Sequence, residues 1–108
     1  MARRGRTLVA TKDGERLGFA VVEVRAAGAH LSAISVAEHA RGRGVARRLL
    51  AAAEKAARRA GAASLGLVTA DSNLAALELF LHAGFRRVGR ERRYYQRGQN
   101  AVRMEKSL

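Results

Sequence analysis

The feature that most constrains this chain is one amphipathic helix set between two apolar runs, with a glycine-broken loop leading into it. Over 45–60 the residues Val45, Leu49, Leu50, Ala53, Ala56, Ala57 and Ala60 recur at helical spacing, while Arg47, Glu54, Lys55, Arg58 and Arg59 fall mostly on the other side. Alanine favours the helix, Glu54 and Arg58 stand at i,i+4, and Gly61 sits where a left-handed residue would end it. The preceding segment 29–37 is small or apolar at nearly every position, which predicts a central strand covered on both faces. Segment 64–69, with Leu65, Leu67 and Val68, reads as a second short strand. Strand, helix and strand in this order form a right-handed crossover between two parallel strands.

The flanks add antiparallel elements. Segments 7–12 and 16–25 surround Asp13-Gly14 and read as a hairpin. Asp71, Ser72 or Asn73 can cap a second helix that runs through Ala83 and stops at Gly84. Segment 85–96 looks extended, with a bulge at Gly89, and 101–106 returns across Arg97-Gly98-Gln99-Asn100. There are no internal repeats or linkers, and 108 residues suffice for one core, so 1–108 is expected to be a single domain. The order β-β-β-α-β-α-β-β gives an α/β (α+β) class with a mixed β-sheet of about six strands and two main helices.

The absence of cysteine excludes a disulfide framework, a thiolate zinc site, an iron–sulfur cluster and a cysteine nucleophile. His30, His39 and His82 lack metal-ligand spacing, so no metal is expected. The basic start, Met1 to Arg6, is followed by a segment too short and polar for a signal peptide, and no apolar run approaches bilayer length. A cytoplasmic protein without membrane contact is the expectation. Lys+Arg number 21 against 9 Asp+Glu, a formal charge of +12, and 18 of the basic residues are arginine. Such a field draws polyanions, whether nucleotides, nucleic acid or an acidic protein surface; a genome biased toward Arg and Ala codons would leave the same composition. Three Phe, two Tyr and no Trp argue against a stacking platform for single strands.

Glu38-His39-Ala40-Arg41-Gly42-Arg43-Gly44-Val45-Ala46 joins the first crossover strand to the helix. Glycines let backbone approach a bulky group, the first helical amides have no internal acceptor, and Arg41, Arg43 and Arg47 add positive charge. This is a seat for phosphate. A P-loop would require Lys-Ser/Thr after Gly44, where Val45-Ala46 stands. A dinucleotide fingerprint would require a small residue at Arg47 and an acid about twenty positions further on.

Arg41-x-x-Gly44-x-Ala46 instead resembles the Q/R-x-x-G-x-G/A pattern of the GNAT superfamily of N-acetyltransferases. Ile34-Ser35-Val36 and Leu49-Leu50 resemble that family's flanking strand and helix. Asn73, Ala76, Leu79, Phe80 and Gly84-Phe85 resemble its downstream signature N-x-x-A-x-x-hydrophobic-aromatic-x-x-x-G-F. The likeness covers essentially Thr7 to Leu108, and the tail with Tyr94-Tyr95 and Met104 looks most like the enzymes that acetylate ribosomal-protein N termini.

The resemblance implies a GNAT-like fold and acetyl-CoA as co-substrate. Ile34, Ser35, Val36, Arg41, Gly42, Arg43, Gly44, Val45, Ala46, Arg47, Asn73 and Phe80 would hold it, and Tyr94 and Tyr95 would line the acceptor site. A primary amine, such as a protein N terminus, would attack the thioester directly in a ternary complex, with a backbone N–H beside Val36 steadying the oxyanion. The alternatives are a CoA-binding protein of this fold with weak or no catalysis, and a basic nucleic-acid-binding module using the arginine-rich hairpin (Arg86, Arg87, Arg90, Arg92, Arg93, Arg97).

The chain departs from the family in two ways. The usual first strand and two helices are missing, which leaves an open acceptor groove and a sheet edge that favours a homodimer. Phe80 stands where many relatives have Tyr, and Val68 where the ribosomal type has Glu, so the catalytic acid and base are unassigned. Glu23 is a candidate, although an edge-facing solvated carboxylate is the simpler expectation, and His39 is expected to meet solvent or cofactor.

Overall fold

The computed structural model describes residues 4–12, 14–25, 28–91 and 100–108. The strands are β1 (Arg4–Lys12), β2 (Glu15–Arg25), β3 (Gly28–Val36), β4 (Ser64–Ala70), β5 (Arg86–Glu91) and β6 (Ala101–Ser107); the helices are α1 (Val45–Arg59) and α2 (Leu74–His82). One 3-10 turn, Glu38–Ala40, precedes α1. All strands join one mixed sheet in the order β1-β2-β3-β4-β6-β5. Only β3 and β4 are parallel, as the crossover requires. The expected class, strand number and helices all hold, and β6 has slipped between β4 and β5.

Both helices cover the same face of the sheet, and Lys106 shows it. Its ammonium lies 2.6 Å from Glu54 of α1 and donates to the Ala83 carbonyl at the end of α2 at 2.7 Å. Lys106 pairs across the sheet with Leu65, and Met104 with Leu67, so these side chains share the helix-covered face. Leu50, Leu65, Met104 and Val22 are the largest fully buried side chains of that core. The helical pattern had placed Glu54 on the solvent side with Arg58. It is buried instead, with Arg58 only at 4.0 Å, because Lys106 supplies a closer cation from a strand 52 positions away.

Among the described residues the second face carries no helix, which corrects the expectation that both sides of β3 would be covered. Ala29 and Leu31 are buried beneath α1, whereas Ser32 and Ser35 are exposed. The apparent apolarity on both sides comes from a bulge. Val22 pairs with Leu31 but Val21 with Ala33, so Ser32 is extra and the alternation switches. Ile34 therefore returns to the face of Leu31, opposite buried Ala20, and the strand end is aimed at the start of α1. Glu23 is also corrected: β2 is an interior strand, and the half-buried carboxylate meets the Arg25 guanidinium at 3.2 Å.

Beyond two rungs, Ala29–Leu65 and His30–Gly66, β3 and β4 part. β4 stays paired with β6 from Ser64 to Ala70, so the opening lies wholly on its β3 side. The bulge expected at Gly89 is present, between Arg87 and Gly89. Asp13 and residues 92–99, which include Arg92, Arg93, Arg97 and both tyrosines, lie outside the described residues. No helix among the described residues is long and apolar enough to cross a membrane.

Candidate acyl-cofactor site

The loop between β3 and α1 turns on Gly42 and Gly44, at φ +79° and +77°, a region that side-chain-bearing residues enter at a cost. Helix α1 begins at Val45 with no side-chain cap, and its first internal bond runs from Arg48 N–H to the Gly44 carbonyl. Among the described residues, nothing accepts a hydrogen bond from the amides of Gly42, Arg43, Gly44, Val45, Ala46 or Arg47. Six free donors at the positive end of a 15-residue helix form an anion cradle. Space is available as well. A Cβ built on Gly42 meets no atom within 4 Å, and one on Gly44 meets only the Arg48 guanidinium at 3.9 Å.

Two side chains hold the loop. Arg48 donates to the Arg43 carbonyl at 2.9 Å, and Arg41 donates to the Val36 carbonyl at 3.4 Å. Behind them, His39 Nε2 lies 2.6 Å from Glu15 Oε1, which ties the loop to the first hairpin. His39 thus has a protein partner rather than solvent or cofactor alone. The Ala37 N–H donates to the Leu17 carbonyl at 2.8 Å, so this amide beside Val36 is already engaged and is not a free oxyanion donor.

A cavity of about 550 Å³ lies against the cradle, lined by Val36, Arg41, Gly42, Gly44, Val45, Ala46 and Arg47 together with Ala40, Ala75, Ala76 and Leu79. A second, of about 180 Å³, occupies the parting of β3 and β4 and includes Ile34, Asn73, Phe80, Val68, Ser32 and Thr69. Ala76 borders both, so seat and cleft adjoin. Ten of the twelve residues expected at the cofactor thus line one cavity or the other. Ser35 and Arg43 line neither: Ser35 borders a separate hollow with Val9 and Phe19, and Arg43 contributes its carbonyl to Arg48. Tyr94 and Tyr95 lie outside the described residues.

Asn73 does two things. Its Oδ1 caps α2 by accepting the Ala76 N–H at 3.2 Å, and its side chain edges the cleft. Phe80 is packed edge-on against Phe85, with ring centroids 5.8 Å apart. No pattern in the letters marks Arg48, whose contact reaches back from the helix onto a loop carbonyl. Ala75 and Leu79 were within reach, since they accompany Asn73 and Ala76 in the downstream block.

The seat fits a pyrophosphate by donor count and by charge, and the cleft, apolar at Ile34, Leu67 and Phe80 and polar at Ser32, Thr69 and Asn73, fits an extended thiol-bearing arm. Among the described residues, no group of three or more His, Asp or Glu side chains is placed to hold a metal ion.

The proton affinity of His30 departs clearly from normal. Burial, then the nearby Arg25 and Arg103 charges, hold its imidazole below the ordinary 6.5, with Glu23 opposing. Below about pH 6.5 the unfolded chain therefore binds more protons than the folded one, so stability present above that value is lost as pH falls through the lowered folded value. The variant His30→Gln is expected to shed this part of the acid sensitivity. Thermal unfolding from about pH 8 to about pH 5 checks it, and identical pH dependence in both proteins would contradict the linkage.

Comparison with known proteins agrees with the geometry. A family profile described as Acetyltransferase (GNAT) domain matches residues 1–108. Among solved structures, the chain is similar to an IAA acetyltransferase from Bacillus cereus, at TM-score 0.90 and 28% identity, covering 97% of this chain and 79% of that one. It is similar to the ribosomal-protein-S18-alanine N-acetyltransferase from Escherichia coli, at TM-score 0.89 and 29% identity, covering 97% and 70%. A chain of the NatC complex bound to Gag peptide and CoA matches at TM-score 0.83 and 28% identity, covering 93% and 68%. No curated protein sequence matches. With the profile matching residues 1–108, this chain belongs to the GNAT acetyltransferase family.

Proposed function

We propose that the chain is an acyl-CoA-dependent N-acetyltransferase that moves an acetyl group from acetyl-CoA to a primary amine in a ternary complex, with a protein N terminus as the favoured acceptor. The observation that carries this is the junction at Ala76 of an amide-rich anion seat with the cleft between β3 and β4. The seat takes the pyrophosphate on the amides of residues 42–47, with Arg41 and Arg47 at its rim. The cleft takes the pantetheine arm beside Ile34, Asn73 and Phe80, so that the thioester reaches the place where the strands part.

When bound, acetyl-CoA supplies an activated acyl group with a thiolate as leaving group. The protein's part is to hold the thioester in line and to present it to the amine. No covalent enzyme intermediate is needed, and among the described residues no serine hydroxyl is hydrogen-bonded to a histidine. The resemblance to an enzyme of ribosomal-protein alanine and to a peptide-bound NatC chain supports a peptide acceptor.

The test is a calorimetric titration with CoA, followed by thiol release from acetyl-CoA over a panel of primary amines and alanine-led peptides. Saturable one-to-one binding and acceptor-dependent release are expected. Binding without release from any acceptor would favour the second reading, a CoA-binding protein of this fold; the lack of any titratable side chain among the cleft-lining residues is what keeps that reading open.

A further inference from the structure

An amine that attacks a thioester must shed a proton, and none of the residues lining the cleft can take it. The groups at its margin are therefore decisive. The last paired rung before β3 and β4 part is His30 opposite Gly66. His30 stands between Ala29 and Leu31, both buried on the helix side, so its imidazole projects from the helix-free face. On that face the rung continues through Glu23 of β2, opposite His30, and Glu105 of β6, opposite Gly66. Gly66 contributes no side chain, and a Cβ placed there would have His30 Nδ1 as a neighbour at 3.9 Å. The rung is thus carboxylate, imidazole, gap and carboxylate, with Arg86 of β5 opposite Glu105, at the closed end of the cleft, in a protein that is otherwise strongly basic.

Each part suits an amine. Glu23 and Glu105 attract an ammonium, the gap gives it room, and the imidazole has a lone pair to receive the proton. The charged groups facing His30 are Glu23 and Arg25 from β2 and Arg103 and Glu105 from β6, while β4 presents only Gly66 there. Burial with Arg25 and Arg103 keeps the ring in its neutral, accepting form.

We propose that His30 is the general base of the acetyl transfer and that the gap at Gly66 admits the acceptor amine from the helix-free face. This rests on the reading that the cleft holds the thioester. The ammonium first gives one proton to solvent; the neutral amine nitrogen then bonds to the carbonyl carbon, and the second proton passes to His30, directly or through one water. The tetrahedral adduct then re-forms the C=O bond, and the C–S bond breaks with its electron pair leaving on the CoA sulfur. The imidazolium returns its proton to solvent and the thiolate takes one up, so amide and free thiol are the net products.

The experiment measures kcat/KM against pH, with calorimetric CoA affinity in parallel, for the whole chain and three variants. In the unmodified protein, activity should fall at acid pH along a limb that stays in place when acceptors of different amine basicity are compared. His30→Gln should keep CoA affinity, lose about 10²-fold or more in kcat/KM and lose that limb. His30→Glu should recover part of the rate with the limb moved toward the carboxylate range, near about pH 4.3. Gly66→Val, whose Cβ meets only ordinary contacts, should raise KM for the acceptor without weakening CoA. A His30→Gln protein that keeps both rate and limb overturns the proposal, as does a Gly66→Val protein with an unaltered acceptor KM. Failure of the unmodified protein to bind CoA, or to release thiol with any acceptor, overturns the transferase reading itself and this assignment with it.

Discussion

Gly44→Glu should abolish CoA binding while leaving a folded protein. At φ +77° a side-chain-bearing residue is strained by about 1–3 kcal/mol, so the melting temperature should fall by several degrees. Unfolding is not expected, because a Cβ there meets nothing nearer than the mobile end of Arg48 at 3.9 Å. The loss of affinity has a separate origin. A carboxylate among six unbonded amides occupies the place of the phosphate and repels it, and losing two charge-assisted hydrogen bonds alone corresponds to about 100-fold or more. Gly44→Asn separates the two effects, since asparagine tolerates the left-handed region and carries no charge. It should keep most of the binding. Calorimetry with CoA decides: equal, undiminished affinity in both variants would mean that the anion sits elsewhere.

The second large effect concerns the fold. In Lys106→Ala the Glu54 carboxylate, only 10% exposed on the inner side of α1, is left without its close cation, and the Ala83 carbonyl loses its donor. Breaking a buried pair from one side costs about 3–5 kcal/mol, and the lower end applies here because the lysine is itself 25% exposed. For a domain with a few kcal/mol to spare, that is a large share of its stability. Replacing both partners, as Glu54→Leu with Lys106→Met, should recover most of the loss, because no uncompensated charge remains. Urea unfolding of the single and double variants measures this. A single variant within about 0.5 kcal/mol of the parent would show that the pair is merely superficial.

Much of the site was legible in advance because its parts are local. A glycine pair before an amphipathic helix sets the free amides, whatever the rest of the chain does, and the spacing of Asn73, Ala76, Leu79 and Phe80 fixes one side of a helix. Three features were not legible. The bulge at Ser32 reverses an alternation that two-residue periodicity treats as continuous. Glu54 looks solvated on a helical wheel, and only Lys106 makes its burial tenable. Ser35, placed by motif among the cofactor residues, turns to another hollow once that bulge has shifted the register.

What the sequence determined by itself is everything governed by neighbours a few positions apart: the crossover unit, a helix cap among Asp71, Ser72 and Asn73, the stops at Gly61 and Gly84, and an anion seat with its arginines. Tertiary structure alone decided which face stays bare, where β6 inserts, and that Glu23, His30 and Glu105 fall on one rung around Gly66. The reason is physical. Strand pairing joins residues up to 43 positions apart, Ser64 with Ser107, through backbone hydrogen bonds that are nearly indifferent to side-chain identity, so the row of groups across a sheet is written in register and not in any local pattern.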